Sequence, residues 1–211
     1  MAIFYTSDSH FFHKNICGKD GFEIKREKFT VDEMNEELIK QWNSVVGYND
    51  EVYHLGDFAL HTTKSKLIDV IQRLNGRIHW IAGNHDSFKN SRSIVRRFEG
   101  DTIDGLPKIE FHEVGLRRVV DGYTLYLCHY GMLTGTRPKV FSIHGHIHSE
   151  PSMYDNHINV GVDNIEFDFK DIPFGQPISE ERLMESIRKR EEYMIANGLL
   201  NSRNHDYGED E

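Results

Sequence analysis

The sequence predicts an α/β protein in which a mainly parallel sheet packs against a second, β-rich unit. In the first hundred residues, a short apolar run, a polar motif and an amphipathic segment alternate three times, which is typical of parallel strands joined by helices. After Gly100 the apolar runs become short and β-favouring, which indicates a second sheet. The length of 211 residues, with 38% hydrophobic and 28% charged residues, suits a globular chain. We therefore predict one domain over residues 1–200 and an acidic, disordered tail over 201–211.

The first strand is predicted at the start of the chain, where the apolar run 2–7 ends at Asp8. Residues 11–30 mix glycines with alternating charges, so we expect a loop or a lid. A helix follows, because Thr30 occupies an N-cap position, Glu33 completes a capping box, and apolar residues then recur at helical spacing.

Two further pairs of strand and helix are predicted before residue 100. In order, they are a strand over 50–55, a helix over 63–74, a strand over 77–82 and a helix over about 87–98. Asp57 and Asn84 come directly after the two strands, each preceded by a glycine. Because binding sites of such sheets lie at the carboxyl ends of the strands, we expect these side chains to meet there.

The second half is predicted to consist of short strands and one helix. The strands are expected over 108–114, 116–120, 123–128, 140–144 and 157–160. Asp121-Gly122 has the composition of a hairpin turn between two of them. Ser179 is expected to begin a last helix over 179–198, with Glu180 and Glu181 in its first turn.

The composition excludes several classes of protein. No apolar stretch approaches the roughly 18 residues of a membrane span, and the N-terminus does not resemble a signal peptide. Cys17 and Cys128 lack the spacing of a zinc site or a disulfide framework, so a reducing cytoplasm is expected. A net charge of −9 disfavours generic binding to duplex nucleic acid, although bound cations would still attract a small phosphorylated ligand.

Five short motifs rich in metal-binding residue types carry the functional prediction. They are Asp8-Ser9-His10, Gly56-Asp57, Gly83-Asn84-His85-Asp86, His129 and Gly145-His146-Ile147-His148. Each follows a predicted strand, and carboxylate, amide and imidazole ligands together suit divalent transition metals. Their occurrence in this order predicts a two-metal hydrolytic site.

The chemistry expected of such a site follows from the ligand types. Asp8 and His10 are two residues apart and are predicted to leave one face of a strand end, so they would share one metal. The two oxygens of Asp57 allow it to bridge cations about 3.5–4 Å apart. Two divalent cations and two carboxylates leave a positive site, which attracts phosphate and favours attack by an activated water.

Neighbouring residues are predicted to complete the reaction. His85 is placed next to Asn84 to protonate the leaving group, and Asp86 is predicted to orient its imidazole. Arg137 is a candidate phosphate contact. His13 is a candidate for substrate or metal, with a solvated loop histidine as the alternative. Five further histidines have no spacing argument or are expected to pack beside the ligands, namely His54, His61, His79, His112 and His157. His144 is likewise expected to pack next to the ligands.

At these motifs the chain resembles the calcineurin-like metallophosphoesterase superfamily, over roughly residues 1–165, and looks closest to small bacterial and phage members. The resemblance implies a four-layer α/β/β/α sandwich of two mixed sheets flanked by helices. It also implies the ligand sets, with Asp8, His10 and His148 on the first metal, Asn84, His129 and His146 on the second, and Asp57 bridging. His85 would be the general acid. Asp57 is followed by Phe58-Ala59-Leu60-His61 instead of the Asp-Arg-Gly of Ser/Thr protein phosphatases, which disfavours that branch.

The sequence thus predicts a cytoplasmic enzyme that uses two divalent metals, manganese being favoured over iron, zinc and nickel, to hydrolyse phosphate mono- or diesters. Nucleotides or other small phosphorylated compounds are the favoured substrates. The first alternative is a nuclease on single-stranded or end-exposed nucleic acid, supported by Lys89, Arg92 and Arg96 at helical spacing. The second is a non-catalytic metal-binding interaction module.

Overall fold

The strands and helices follow the predicted order along the chain. The computed structural model describes residues 1–164 and 169–200. The strands are β1 (Ile3–Thr6), β2 (Glu51–His54), β3 (Arg77–Ile81), β4 (Thr102–Ile103), β5 (Leu106–Pro107), β6 (Ile109–His112), β7 (Gly115–Val120), β8 (Tyr123–Cys128), β9 (Val140–His144), β10 (His157–Asn159) and β11 (Ile178–Ser179). The helices are α1 (Val31–Val45), α2 (Lys64–Arg73), α3 (Phe88–Val95) and α4 (Glu180–Ala196). The predicted tail over 201–211 lies outside the described residues.

The first sheet has the strand order β11-β1-β2-β3-β6. The internal strands β1, β2 and β3 and the edge strand β6 run parallel to one another. Among its described strands, β11 alone pairs antiparallel, against β1. The sequence led us to group β6 with the second, β-rich half, but β6 pairs with β3 in the first sheet. The reason is that α3 connects β3 to β6 as one more strand–helix–strand crossover, which returns the chain to the same sheet.

The second sheet has the order β10-β9-β8-β7, in which β8, β9 and β10 are parallel and β7 is antiparallel to β8. Asp121 and Gly122 form the predicted tight turn between β7 and β8, with φ angles of 50° and 80°. Positive φ at both positions matches the right-handed twist of the two strands. The short pair β4–β5 was not predicted.

The helix starts are set by the predicted capping residues. Thr30 and Glu33 form the reciprocal capping box at the start of α1, and Ser179 accepts a hydrogen bond from the N–H of Arg182 at the start of α4. The third helix is shorter than predicted, because regular α-helix ends at Val95 and continues as one turn of 3-10 helix.

Two apolar cores hold the layers together. Helices α1, α2 and α3 cover one face of the first sheet, where Trp42 and Ile71 pack in one cluster with Trp80. The opposite face packs on the second sheet through a separate cluster that includes Tyr5, Leu125 and Ile187. The predicted α/β sandwich of two mixed sheets is therefore confirmed, with α4 bordering the core between the sheets. No helix within the described residues is long and apolar enough to cross a bilayer.

The predicted loop or lid over residues 11–30 contains two single turns of 3-10 helix, Lys14–Ile16 and Ile24–Arg26. Ile16 and Arg26 are both completely buried. These two side chains anchor the segment to the body of the protein at both turns.

Candidate metal centre

The predicted ligands lie at one edge of the sandwich, where the parallel strands of both sheets end. Asp8 follows β1, Asp57 follows β2 and Asn84 follows β3, all in the first sheet. His129 and His146 follow β8 and β9 of the second sheet. The expectation that these motifs meet at the carboxyl ends of the strands is confirmed.

Five of the predicted ligands have left-handed backbone conformations. They are Asp8 (φ 56°), His10 (φ 47°), Asp57 (φ 55°), His146 (φ 71°) and His148 (φ 50°). Such a conformation costs on the order of 1–3 kcal/mol at a non-glycine residue, so the surrounding fold must impose it. Cross-strand hydrogen bonds supply part of this constraint, since the N–H of Asp8 donates to Gly56 O and that of His10 to Asp57 O, both at 3.0 Å.

These turns correct one step of the sequence argument. We predicted that Asp8 and His10 share a face of the strand end, but β1 already ends at Thr6. The two side chains meet because the backbone turns at both positions, not because a strand alternates. The predicted proximity holds, whereas its proposed cause was wrong.

The glycine before Asp57 is required by close packing. Gly56 has a φ of 99°, which disfavours any L side chain, and a Cβ at this position would lie 2.6 Å from His129 Nδ1. This agrees with the expectation that little bulk stands beside the site at this position.

Asp57 lies at the centre of the predicted ligands. Its Oδ2 is 3.5 Å from His10 Nε2 and 3.4 Å from His129 Nε2. Ligands bound at about 2.0–2.2 Å around one cation are separated by roughly 3.3 Å, so both distances suit shared coordination. One carboxylate oxygen thus has an imidazole on each side.

The other predicted ligands complete the two groups. Ligand atoms of Asp8, His10 and His148 lie within 4.8 Å of one another, and so do those of Asp8, Asp57 and His129. Asn84 Oδ1 is 2.9 Å from both His129 Nε2 and His146 Nδ1. All seven predicted ligands are therefore brought together.

Two imidazoles show how this edge would accept a cation. His129 Nδ1 lies 2.8 Å from the carbonyl of Leu55, and a proton donated there leaves Nε2 as the electron-pair donor facing Asp57. Both ring nitrogens of buried His10 lack a hydrogen-bond partner among the described residues. Buried polar atoms without partners are rare, so the ring suits a ligand that is not part of the chain.

Burial and mutual charge set the protonation states of the metal-free site. Burial lowers the pKa of His10 to about 2, so this imidazole is neutral and ready to donate its electron pair. Burial favours the neutral form of Asp57, but the adjacent His129 outweighs it and lowers the pKa of Asp57 to about 2. Burial raises the pKa of Asp8 to about 6, because removal from water disfavours the charged carboxylate, and the nearby Asp57 carboxylate adds a smaller increase.

Comparison with known proteins identifies the family of this chain. The calcineurin-like phosphoesterase family matches residues 1–210. The chain belongs to this family. The match extends beyond the roughly 165 residues over which the motifs indicated a resemblance, and it includes α4.

Individual relatives agree with this assignment. The chain is 45% identical over 94 residues to an uncharacterized protein of Methanocaldococcus jannaschii, covering 44% of this chain and 51% of the relative. It is 38% identical over 84 residues to the Gene 66 protein of Mycobacterium phage L5, covering 39% of this chain and 38% of the relative. The matched segment thus spans about half or less of these relatives. A protein of unknown function from Aquifex aeolicus has the same fold, with a TM-score of 0.59 and 22% identity over 87% of this chain and 98% of that one.

The structure of this phosphoesterase-family chain corrects the predicted role of Asp86. The Asp86 carboxylate accepts four hydrogen bonds, from the N–H groups of Asp57, Phe58 and Gly83 and from the Trp80 indole, at 2.8–3.2 Å. These donors occupy both oxygens. Asp86 is therefore a positioning residue for the loops that carry Asp57 and Asn84, and the prediction that it orients His85 is not supported.

The structure also contradicts the prediction that Arg137 contacts phosphate. β9 begins at Val140, opposite Thr124 at the beginning of β8, whereas His129 follows the other end of these strands. Arg137 lies three residues before Val140 and is exposed. It therefore belongs to the amino-terminal edge of the second sheet, opposite the metal centre. The position of Arg137 between two motifs in the sequence did not indicate its place in the structure, because the connection from the end of β8 to the beginning of β9 returns along the length of the sheet.

The region around His85 contains two further histidines. The rings of His85 and His13 lie 5.5 and 5.3 Å from that of His10, and His61 lies 5.9 Å from His13. His13 is buried, unlike the solvated loop histidine considered as its alternative, and burial lowers its pKa to about 4. His61 is exposed beside it and had no signal except that it follows Asp57 by four residues.

Sequence reasoning missed a buried charge network behind the centre. The Arg26 guanidinium donates to Asp163 at 2.6–3.1 Å and to the carbonyl oxygens of Asp8 and Ser9 at 2.6 and 2.9 Å. Asp163 Oδ2 is in turn 3.5 Å from His148 Nδ1. The sequence did not indicate a role for Arg26, because this residue lies in a run of alternating charges. Asp163 could have been recognised, because it follows a predicted strand and a glycine, as the predicted ligands do.

The structure agrees with the packing predicted for two further histidines. His54 is fully buried beside Ser9 Oγ at 2.8 Å, and His144 is buried with its ring 5.5 Å from that of His157. Both therefore pack next to the ligands, as expected.

Proposed function

We propose that this protein is a two-metal hydrolase of phosphate mono- or diesters that acts on nucleotides or other small phosphorylated compounds. The position of Asp57 Oδ2 between His10 Nε2 and His129 Nε2 carries the proposal, because one oxygen flanked by two imidazoles is the geometry of a bridging ligand. Membership of the calcineurin-like phosphoesterase family supports the same reaction class.

The proposed ligands are those implied by the motifs. One cation would be held by Asp8, His10 and His148. The other would be held by Asn84, His129 and His146, and Asp57 would bridge the two cations. Divalent transition metals, with manganese favoured, would supply Lewis acidity and an activated water when bound. Asp163 and Glu23, at 3.5 and 3.6 Å from His148 Nδ1, support this ligand from behind.

We assign the general acid to His85. Its backbone N–H donates to Asp57 Oδ1 at 2.8 Å, which places the residue directly beside the bridging carboxylate. Its side chain is exposed and borders a groove lined by His61, Lys64 and Asn90. An exposed imidazole at this position can reach the oxygen of a leaving group, and Lys64 adds positive charge for a phosphorylated substrate.

A nuclease activity is the second candidate, favoured by a basic surface on the helix behind the third motif. Lys89, Arg96 and Arg97 are exposed there, whereas Arg92 forms an ion pair with Glu113. Binding of a polyanion to these residues would weaken steeply with salt, while hydrolysis of a small ester would not. A non-catalytic metal-binding module is the third candidate and predicts metal binding without turnover.

A reconstituted activity screen separates these functions. The metal-free protein is loaded with manganese, nickel, zinc or iron and assayed against nucleotides, cyclic nucleotides and short oligonucleotides at two salt concentrations. We expect hydrolysis of small esters that is abolished in Asp57→Asn and insensitive to salt. Hydrolysis of oligonucleotides alone would favour the nuclease, and the survival of every ester with every metal would leave only the interaction module. The absence of a disulfide framework agrees with a proposed cytoplasmic location.

A further inference from the structure

A second group of imidazole and carboxylate side chains lies on β3 and the edge strand β6 of the first sheet and contains none of the seven predicted ligands. His79 is on β3, and Glu110 and His112 are on the edge strand β6. His79 is paired directly with Glu110 across the two strands, and His112 follows Glu110 by two residues. Because side chains alternate along a strand, all three project from the same face of the sheet.

The separations within this group suit a shared cation better than direct hydrogen bonds. Glu110 Oε2 is 3.7 Å from His79 Nδ1 and 3.9 Å from His112 Nε2. Hydrogen bonds between nitrogen and oxygen are about 2.7–3.2 Å long, whereas two ligands of one tetrahedral zinc ion lie roughly 3.3 Å apart. The ligand atoms of all three residues lie within 4.8 Å of one another, so a small inward movement would close the site.

Three imidazole nitrogens of the group lack a hydrogen-bond partner among the residues that the structure describes. Within the described part of the chain, His79 Nδ1, His79 Nε2 and His112 Nε2 are buried and accept or donate no hydrogen bond. Buried polar atoms in this state are costly unless a bound ion or water satisfies them. The side chains of Glu110 and His112 remain 38% and 22% exposed, which leaves a path for an ion to enter.

Neighbouring residues orient the group as the surroundings of a metal site do. The ring of His79 is stacked on Tyr53 with a centroid separation of 4.5 Å, and its Nε2 lies 3.8 Å from Glu51 Oε2. In zinc sites the ring nitrogen that does not bind the metal commonly faces a carboxylate. Arg77 lies 3.6 Å from Glu110 Oε1, so the other oxygen of Glu110 is left for the cation.

We propose that His79, Glu110 and His112 form a separate zinc site that ties the edge strand β6 to β3. Two imidazoles and one carboxylate are an established zinc ligand set, and the fourth position would be open to water. The site would link two paired strands and does not line the proposed substrate groove. It does not depend on the proposed phosphoesterase function.

Zinc stoichiometry tests the proposal with a matched pair of variants. Glu110→Gln removes a carboxylate of the group, whereas Glu113→Gln removes an exposed carboxylate three residues further along, which pairs with Arg92. In competition with a chromophoric chelator, Glu110→Gln should bind about one zinc equivalent fewer than the wild type. Glu113→Gln should bind the same number as the wild type. His112→Asn serves as a second variant if Glu110→Gln fails to fold.

The readout is independent of the motif-based metal centre. Glu110→Gln should retain its metal-dependent ester hydrolysis, and the difference of one equivalent should persist even if that centre proves inactive. Zinc-soaked crystals should show an anomalous peak between His79, Glu110 and His112. Equal zinc binding by the wild type, Glu110→Gln and His112→Asn, together with no such peak, would overturn the proposal.

Discussion

The backbone N–H of Asp57 donates a 2.8 Å hydrogen bond to Oδ2 of Asp86, which joins the loop after β2 to the loop after β3. Asp86 Oδ2 also accepts from Gly83 N at 2.9 Å and from the Trp80 indole at 3.0 Å. One buried carboxylate thus fixes the relative positions of two predicted ligands, Asp57 and Asn84. A buried residue that is not itself a predicted ligand therefore positions the loops of the proposed metal centre.

We expect Asp86→Asn to weaken metal binding and stability together. The amide oxygen can replace Oδ2, but the NH2 group would then face the Phe58 N–H, which leaves a buried donor unsatisfied at a cost of roughly 1–3 kcal/mol. Affinity for the metals should fall about 10–100-fold, as is usual when a residue supporting ligands is lost. Urea unfolding and metal titration measure both effects. A shifted pH–rate profile with unchanged metal affinity would instead show that Asp86 acts on His85.

We expect His85→Ala to lose turnover while keeping its metals. Removal of a general acid lowers kcat by about 10²–10⁴-fold. The loss should be smaller for aryl phosphates with acidic leaving groups, because these need less protonation than alkyl esters. Paired measurements of kcat and metal content test this. An equal loss on both substrate types, or loss of the metals, would remove His85 from this role.

We expect Arg26→Met to destabilise the protein by about 3–5 kcal/mol, because Asp163 would be left as an unpaired buried carboxylate. The Arg73–Glu36 pair provides the matched control, since both side chains are largely exposed. Arg73→Met should change the free energy of unfolding by less than about 1 kcal/mol. Denaturant unfolding of the two variants near neutral pH gives the comparison. Similar changes in the free energy of unfolding of the two variants would show that burial of the Arg26–Asp163 pair does not contribute to stability.

The Arg26–Asp163 pair also predicts a pH dependence. Burial favours the neutral form of Asp163, but Arg26 and His148 outweigh it and lower the pKa of Asp163 to about 2. A carboxyl with a lowered pKa stabilises the folded state above its ordinary pKa of about 3.9, and this contribution is lost as the pH falls towards 2. The stability difference between the wild type and Arg26→Met should therefore narrow as the pH falls from about 4 towards 2. A constant difference would contradict the assignment.

We expect Arg137→Ala to leave catalysis nearly unchanged. The residue is exposed near the amino-terminal edge of the second sheet, so kcat/KM for any hydrolysed ester should stay within about twofold of the wild type. Steady-state kinetics with the best substrate from the screen tests this. A KM raised more than about tenfold would restore Arg137 as a phosphate contact.

Local patterns were sufficient for much of the fold and for the membership of the site. Thr30 and Glu33 predicted the start of α1 because capping depends on residues only three positions apart. The polar residues after the strands identified the seven proposed ligands because parallel strands end at one edge. The sheet to which β6 belongs was not predictable in this way, because pairing with β3 depends on the crossover through α3 and not on the apolar pattern of β6.

The sequence by itself determined the alternation of strands and helices, the turn at Asp121-Gly122 and the residue types available to bind metal, because these depend on spacing and side-chain chemistry. The tertiary structure alone decided which atoms face one another. It turned Asp86 towards backbone N–H groups, separated Arg137 from the ligands by the length of a sheet, and buried Arg26 beside Asp163. It also paired His79 with Glu110, whose positions are 31 residues apart in the chain. Such contacts join distant segments, and only the packed chain fixes the distances and burial on which their energies depend.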